Sequence, residues 1–163
     1  HEGIFSILYV LEYGINKDFK DSITYATEYM KMKSEFANGN EEKTVNEDVN
    51  SMIERFKNFN DWLLKCTSIT PYPLSKEIYG ISSKSYKFQT SMALIIPALY
   101  RKIYLQGEKY SSFSFEKIMG SIQYSLINSF LEKADYSVSS TNSKEIFKLV
   151  ENFKIIDLEV SEN

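Results

Sequence analysis

An all-α fold is what this sequence predicts, and three observations carry the prediction. In residues 44–66 the apolar side chains Val45, Val49, Met52, Phe56, Phe59 and Leu63 recur at steps of four and three, which puts them on one stripe of a helix. Shorter stretches on either side repeat that period, and Gly14, Asn38-Gly39 and Gly107 follow three of them where helices end. A chain of 163 residues with 12 Tyr and 11 Phe can bury one aromatic-rich core. The expected architecture is a single domain, an orthogonal or up-down bundle of about five to six helices, with room for a short C-terminal strand.

Residues 2–13 are apolar on nearly every side (Ile4, Phe5, Ile7, Leu8, Val10, Leu11), so this first helix is expected to be buried on more than one face and to stop at Gly14. Asp18 or Asp21 caps the second helix, which runs to about residue 37 with Phe19, Ile23, Ala26, Met30 and Phe36 on its inner face. Thr44 with Glu47 reads as a capping box for the third, with Ile53 and Leu64 widening its stripe and Glu47, Asp48, Glu54, Arg55 and Lys57 turned to water. These helices make residues 1–66 a three-helix unit with short connections.

Residues 67–82 contain Pro71 and Pro73 and read as an ordered loop. Residues 83–133 read as a two-helix hairpin. Its first helix carries Phe88, Met92, Ile95, Ile96, Leu99 and Ile103 and is kinked at Pro97; its second carries Phe115, Ile118, Met119, Ile122, Leu126 and Phe130. Residues 134–163 read as a loop, a short helix capped by Asn142 with Glu145, and a tail in which Ile155, Ile156, Leu158 and Val160 form a strand or lie extended on the bundle.

One cysteine, Cys66, precludes an internal disulfide, and a reducing, cytoplasmic setting is expected. The longest apolar run, residues 92–99, is too short to cross a membrane, so no membrane partner is expected. The opening residues lack a basic leader and do not read as a signal peptide, and a chain starting at His1 rather than Met reads as a piece of a longer protein. With one histidine and one cysteine there is no zinc ligand set and no base for a nucleophilic triad. The six glycines form no phosphate loop. Cys66, near a helix C-terminus, reads as buried filler, and Trp62 as packing between helices. No catalytic residue, no metal and no cofactor are expected, and the chain is not expected to be an enzyme on its own.

Charge is the sharper feature. Residues 1–66 hold 8 bases and 12 acids, net −4, residues 67–133 hold 8 bases and 4 acids, net +4, and residues 134–163 hold 3 bases and 6 acids, net −3. The middle third therefore carries the candidate nucleic-acid-binding residues Lys84, Lys87, Arg101, Lys102 and Lys109, interleaved with Tyr79, Tyr86, Tyr100, Tyr104 and Tyr110. Bases with aromatics can hold phosphates and stack on nucleobases, and DNA is the partner they suggest. The competing reading is a solvated helix face with tyrosines closing the core edge.

A first helix beginning Glu2-Gly3-Ile4-Phe5-Ser6-Ile7-Leu8-Tyr9-Val10, a second ending Tyr29-Met30, an acidic linker and a long helix with Phe56 and Phe59 resemble the helical region that follows the ParB-like domain of GmrSD-type restriction and phage-defence proteins. Residues 87–94, Lys-Phe-Gln-Thr-Ser-Met-Ala-Leu, resemble the helix that closes that region. Ser6 stands where the family has an arginine, and the family's Asp-Gly-Gln-Gln-Arg nuclease motif is absent, so no catalytic residue transfers. The resemblance implies a non-catalytic helical half of an antiviral restriction system, supporting an N-terminal nuclease domain and touching DNA. The alternative is a stand-alone helical protein–protein interaction module, a viral or bacterial adaptor that takes a partner helix in a groove.

Overall fold

The near-continuous apolar run after Glu2 folds as α1 (Glu2–Tyr13), ended by Gly14 at φ +75°, whose N–H reaches back to the Val10 carbonyl at 2.8 Å. Only glycine adopts that left-handed helix stop without strain. The structure, a computed structural model, describes residues 2–18, 20–68, 93–127 and 140–156. Among them it has six helices and no strand: α1, α2 (Ser22–Gly39), α3 (Glu42–Thr67), α4 (Ile95–Tyr100) running on into a π-helical turn (Arg101–Leu105), α5 (Phe115–Ile127) and α6 (Ser140–Glu151). The all-α expectation is met. The loop at 69–82, the approach to α4 through 92 and the end of the fifth helix past 127 lie outside the described residues.

Local chemistry sets most boundaries. Asp21 caps α2 by accepting a hydrogen bond from the Thr24 N–H at 2.8 Å, and the Asn40 side-chain amide donates to the Phe36 carbonyl at the other end. The Thr44/Glu47 capping box does not form. Helix α3 already begins at Glu42, because Glu41, Glu42 and Lys43 are good helix formers and an acid suits the positive end of the dipole. Likewise α6 begins at Ser140, so Asn142 lies inside its first turn rather than at the cap. Ser114 caps α5 through the Lys117 N–H at 3.2 Å.

Helix α4 is the centre. All six of its residues are buried, and it packs on α1 and α6. Pro97 falls in its first turn, where a missing N–H is harmless; Ala93 is helical and Leu94 a turn, so the helix is interrupted just ahead of Pro97 and a π turn follows α4, while the course before residue 93, on which the expected kink depends, lies outside the described residues. Val10, Leu11, Phe59, Trp62, Cys66, Ile122 and Ile146 share its core cluster. Past α6, Ile155 and Ile156 form no strand; the Ile156 N–H donates to Ser121 Oγ at 3.0 Å and lays the tail against α5.

Two inner faces differ from the expectation. On α2 the buried side chains are Ser22, Tyr25, Ala26 and Tyr29, while Ile23 and Met30 are exposed. A tyrosine ring fills core space while its hydroxyl finds a partner: Tyr25 accepts from the Lys20 N–H, and Tyr29 donates to Glu12. On α3, Val49, Ile53 and Leu64 are exposed, while Asp48 and Arg55 are half-buried against α1 and α2.

Candidate functional site

Three features stand out, and two of them share the α1–α3 seam. Ile4, Leu8 and Glu12 sit one turn apart on one side of α1. Opposite the first two, Val49, Met52, Ile53 and Phe56 follow the i, i+3, i+4, i+7 spacing of one α3 face. Together with Lys57 they line an open groove of about 370 Å³. Leu8 is its buried floor; Ile4 is 43% exposed, Val49 41% and Ile53 60%.

At the Glu12 end the seam turns polar. Glu12 Oε1 receives Lys33 Nζ at 2.9 Å, and Oε2 receives the Tyr29 hydroxyl at 2.7 Å. Lys33 also donates to both Asp48 oxygens at 3.1 Å. Arg55 Nη2 stands 3.1 Å from Glu12 Oε2 but contributes charge rather than aligned bonds, since its buried Nε and Nη2 have no hydrogen-bonded partner. Burial alone would raise the Glu12 pKa, but the bonds from Lys33 and Tyr29 and the charges of Lys33 and Arg55 outweigh it and hold the carboxyl below its ordinary value. Burial and the bond to Glu12 push the Tyr29 hydroxyl far up. With two acids and two bases this cluster is a charge-balanced clamp across three helices. No gathering of three His, Cys, Asp or Glu side chains able to hold a metal occurs among the described residues.

The third feature is a cavity of about 130 Å³ between the α1 end, the π turn and the α6 end, lined by Gly14, Arg101, Lys102, Gln106, Val150 and Glu151 among others. It brings two of the sequence-predicted bases, Arg101 and Lys102, together, and Lys109 lies close enough for its charge to act on Lys102. Lys102 Nζ donates to the Val150 carbonyl at 2.7 Å and to that of Glu151, closing the C-terminus of α6. Lys109 is exposed with its ammonium 5.5 Å from the Tyr110 ring centre. Lys84 and Lys87, with Tyr79 and Tyr86, lie outside the described residues. Tyr100 and Tyr110 are buried and Tyr104 is partly exposed, closing the core edge.

Cys66 is fully buried, and burial pushes its thiol up to about 11. The native thiol is therefore expected to react with a thiol reagent at pH 8 at least about tenfold more slowly than in the unfolded chain, read as the absorbance of the released chromophore. No described helix is long and apolar enough to cross a membrane. The chain matches no protein-family model, no curated protein and no solved structure.

Sequence reasoning named most of the groove residues but placed them in the core, and it missed the Glu12 clamp. The one available signal for the clamp was Glu12 itself, an acid in a helix apolar on almost every other side.

Proposed function

We propose that this chain is a non-catalytic helical module that binds a partner helix in the α1–α3 groove. The observation that carries the reading is the exposure of Ile4, Val49 and Ile53 along a groove floored by Leu8. Clustered exposed aliphatics of this kind serve contact with another molecule, and the spacing on α3 suits anchors at i, i+3 and i+7 of an incoming amphipathic helix. Charge selects the occupant. The three-helix unit that forms the groove is net −4 as a whole, so the long-range field favours an amphipathic helix with basic flanks, although Lys57 lines the groove itself. In the GmrSD-type setting that the order of helices resembles, the partner belongs to the nuclease half. A coding sequence upstream of His1 that carries Asp-Gly-Gln-Gln-Arg supports that setting, and an unrelated one removes it.

The test is titration with a leucine/lysine amphipathic peptide and its leucine/glutamate counterpart, followed by backbone amide chemical shifts. The lysine peptide is expected to bind at least about tenfold more tightly, to perturb Ile4, Val49 and Ile53, and to lose about tenfold on Ile53→Asp, an exposed change of small effect on stability. Equal binding by the Ile53→Asp protein, or shifts clustered elsewhere, removes the reading.

A further inference from the structure

Arg101 is a half-buried charge whose presence the fold does not explain. Lys102, its neighbour at the start of the π turn, is accounted for by the α6 carbonyls it closes. Arg101 forms no hydrogen bond and no ion pair among the described residues. Its guanidinium instead lies against Gly14, where an added Cβ would stand 3.0 Å from Nη1. Partial burial lowers its pKa from the ordinary arginine value, with no acid bonded to it among the described residues. Its nitrogens are not among the fully buried polar atoms that lack a partner, so its donors stay open to a ligand in the cavity they line. The π turn that aims Arg101 into the cavity is a local irregularity of the kind frequent at functional sites.

The surroundings define what would pair with it. Arg101, Lys102 and Lys109 set three positive charges against the Glu151 carboxylate, leaving a local surplus, and Gln106 adds an amide to the wall. A volume of about 130 Å³ suits one compact group and excludes a helix. We propose that this cavity binds a single phosphate group, with the Arg101 guanidinium fork on two of its oxygens. A phosphate carries a charge of about −1.5 to −2 at neutral pH, which suits the surplus, and its oxygens suit the fork. The group arrives as a free phosphate or small phosphomonoester, or as the terminal phosphate of a nucleic acid. The inference is independent of the groove, which shares no lining residue with this cavity.

The test is thermal unfolding at constant ionic strength, with inorganic phosphate replacing chloride. Phosphate at tenfold excess over its Kd is expected to raise the wild-type Tm by about 3–5 °C. Arg101→Met is expected to abolish that rise and, in phosphate-free buffer, to melt at or above wild type, because it removes an uncompensated charge. Arg101→Lys keeps the charge without the fork and is expected to lose more than half of the phosphate-induced rise. A wild-type protein indifferent to phosphate overturns the proposal, as does a rise retained in Arg101→Met, or a phosphate-free Tm for that variant well below wild type. A 5′-phosphorylated oligonucleotide and its dephosphorylated twin separate the sources. A rise that needs the 5′-phosphate assigns the site to nucleic-acid ends, and one seen with inorganic phosphate alone assigns it to small phosphates.

Discussion

Glu12→Gln is expected to lower stability at pH 7 by about 2 kcal/mol, measured by urea unfolding followed by circular dichroism. The amide keeps the shape of the carboxylate but removes the charge that Lys33 and Arg55 face at 2.9 Å and 3.1 Å. Lys33 retains Asp48; Arg55 is left without its acid, and its buried Nε and Nη2 have no bonds to fall back on. Breaking one partner of a buried pair costs about 3–5 kcal/mol, and the side chains here keep 18–27% of their exposure, so a value below that range is appropriate. The pH dependence gives an independent readout. Glu12 is held below 4.5, so its contribution is present above that value and is lost as pH falls through the lower folded pKa. Burial would lower the Lys33 pKa, but its bonds to Glu12 and Asp48 raise it above 10.5, so that contribution is present below 10.5 and is lost as pH rises through the higher folded pKa. Wild type should therefore hold a plateau from about pH 5 to about pH 10 and decline on both sides, while Glu12→Gln loses much of the acid decline. Unchanged stability at pH 7 with an unchanged acid limb would show that the clamp is energetically idle.

The clamp also shows where reading the sequence stops. Apolar period and helix stops locate α1 to the residue and α3 to within two, because both signals are local. Which face is covered is not local. Helix α3 has 26 residues, about 39 Å, and its periodic aliphatics continue along a length that the neighbouring helices only partly cover. Val49 and Ile53 keep the period of Phe59 yet stand at the groove, and nothing in the spacing separates them from core residues. Asp48 and Arg55 have the composition of a solvated face, and their partners Lys33 and Glu12 lie on other helices, with no periodic relation to α3. The basic middle was legible as charge; that Lys102 would close α6 while Arg101 has no hydrogen bond or ion pair among the described residues depends on a π turn that leaves no signature in the apolar period.

Trp62→Ala is expected to be the most damaging single change, lowering stability by about 3–4 kcal/mol. The indole packs with Phe59, Tyr100 and Tyr104 at ring separations of 6.1, 5.2 and 5.9 Å, and its N–H donates to the Tyr104 hydroxyl at 3.1 Å. These contacts tie the C-terminal half of α3 to α4 and the π turn. Trp62→Phe keeps most of the ring packing and loses the N–H, for about 1 kcal/mol, and Tyr104→Phe should lose less still, because Tyr104 is 37% exposed and water can take the freed N–H. The order Trp62→Ala, Trp62→Phe, Tyr104→Phe distinguishes packing from hydrogen bonding; equal losses for the first two would make the hydrogen bond the dominant contribution. Circular dichroism is the required readout, since Trp62 is the one tryptophan of the chain. The groove occupies the other half of α3, so Trp62→Phe should leave peptide affinity unchanged and add to Ile53→Asp in stability, as sites without shared partners do. A Trp62→Phe protein that folds but binds the lysine peptide several-fold more weakly would mean that the two halves of α3 act as one element, with docking coupled to the core.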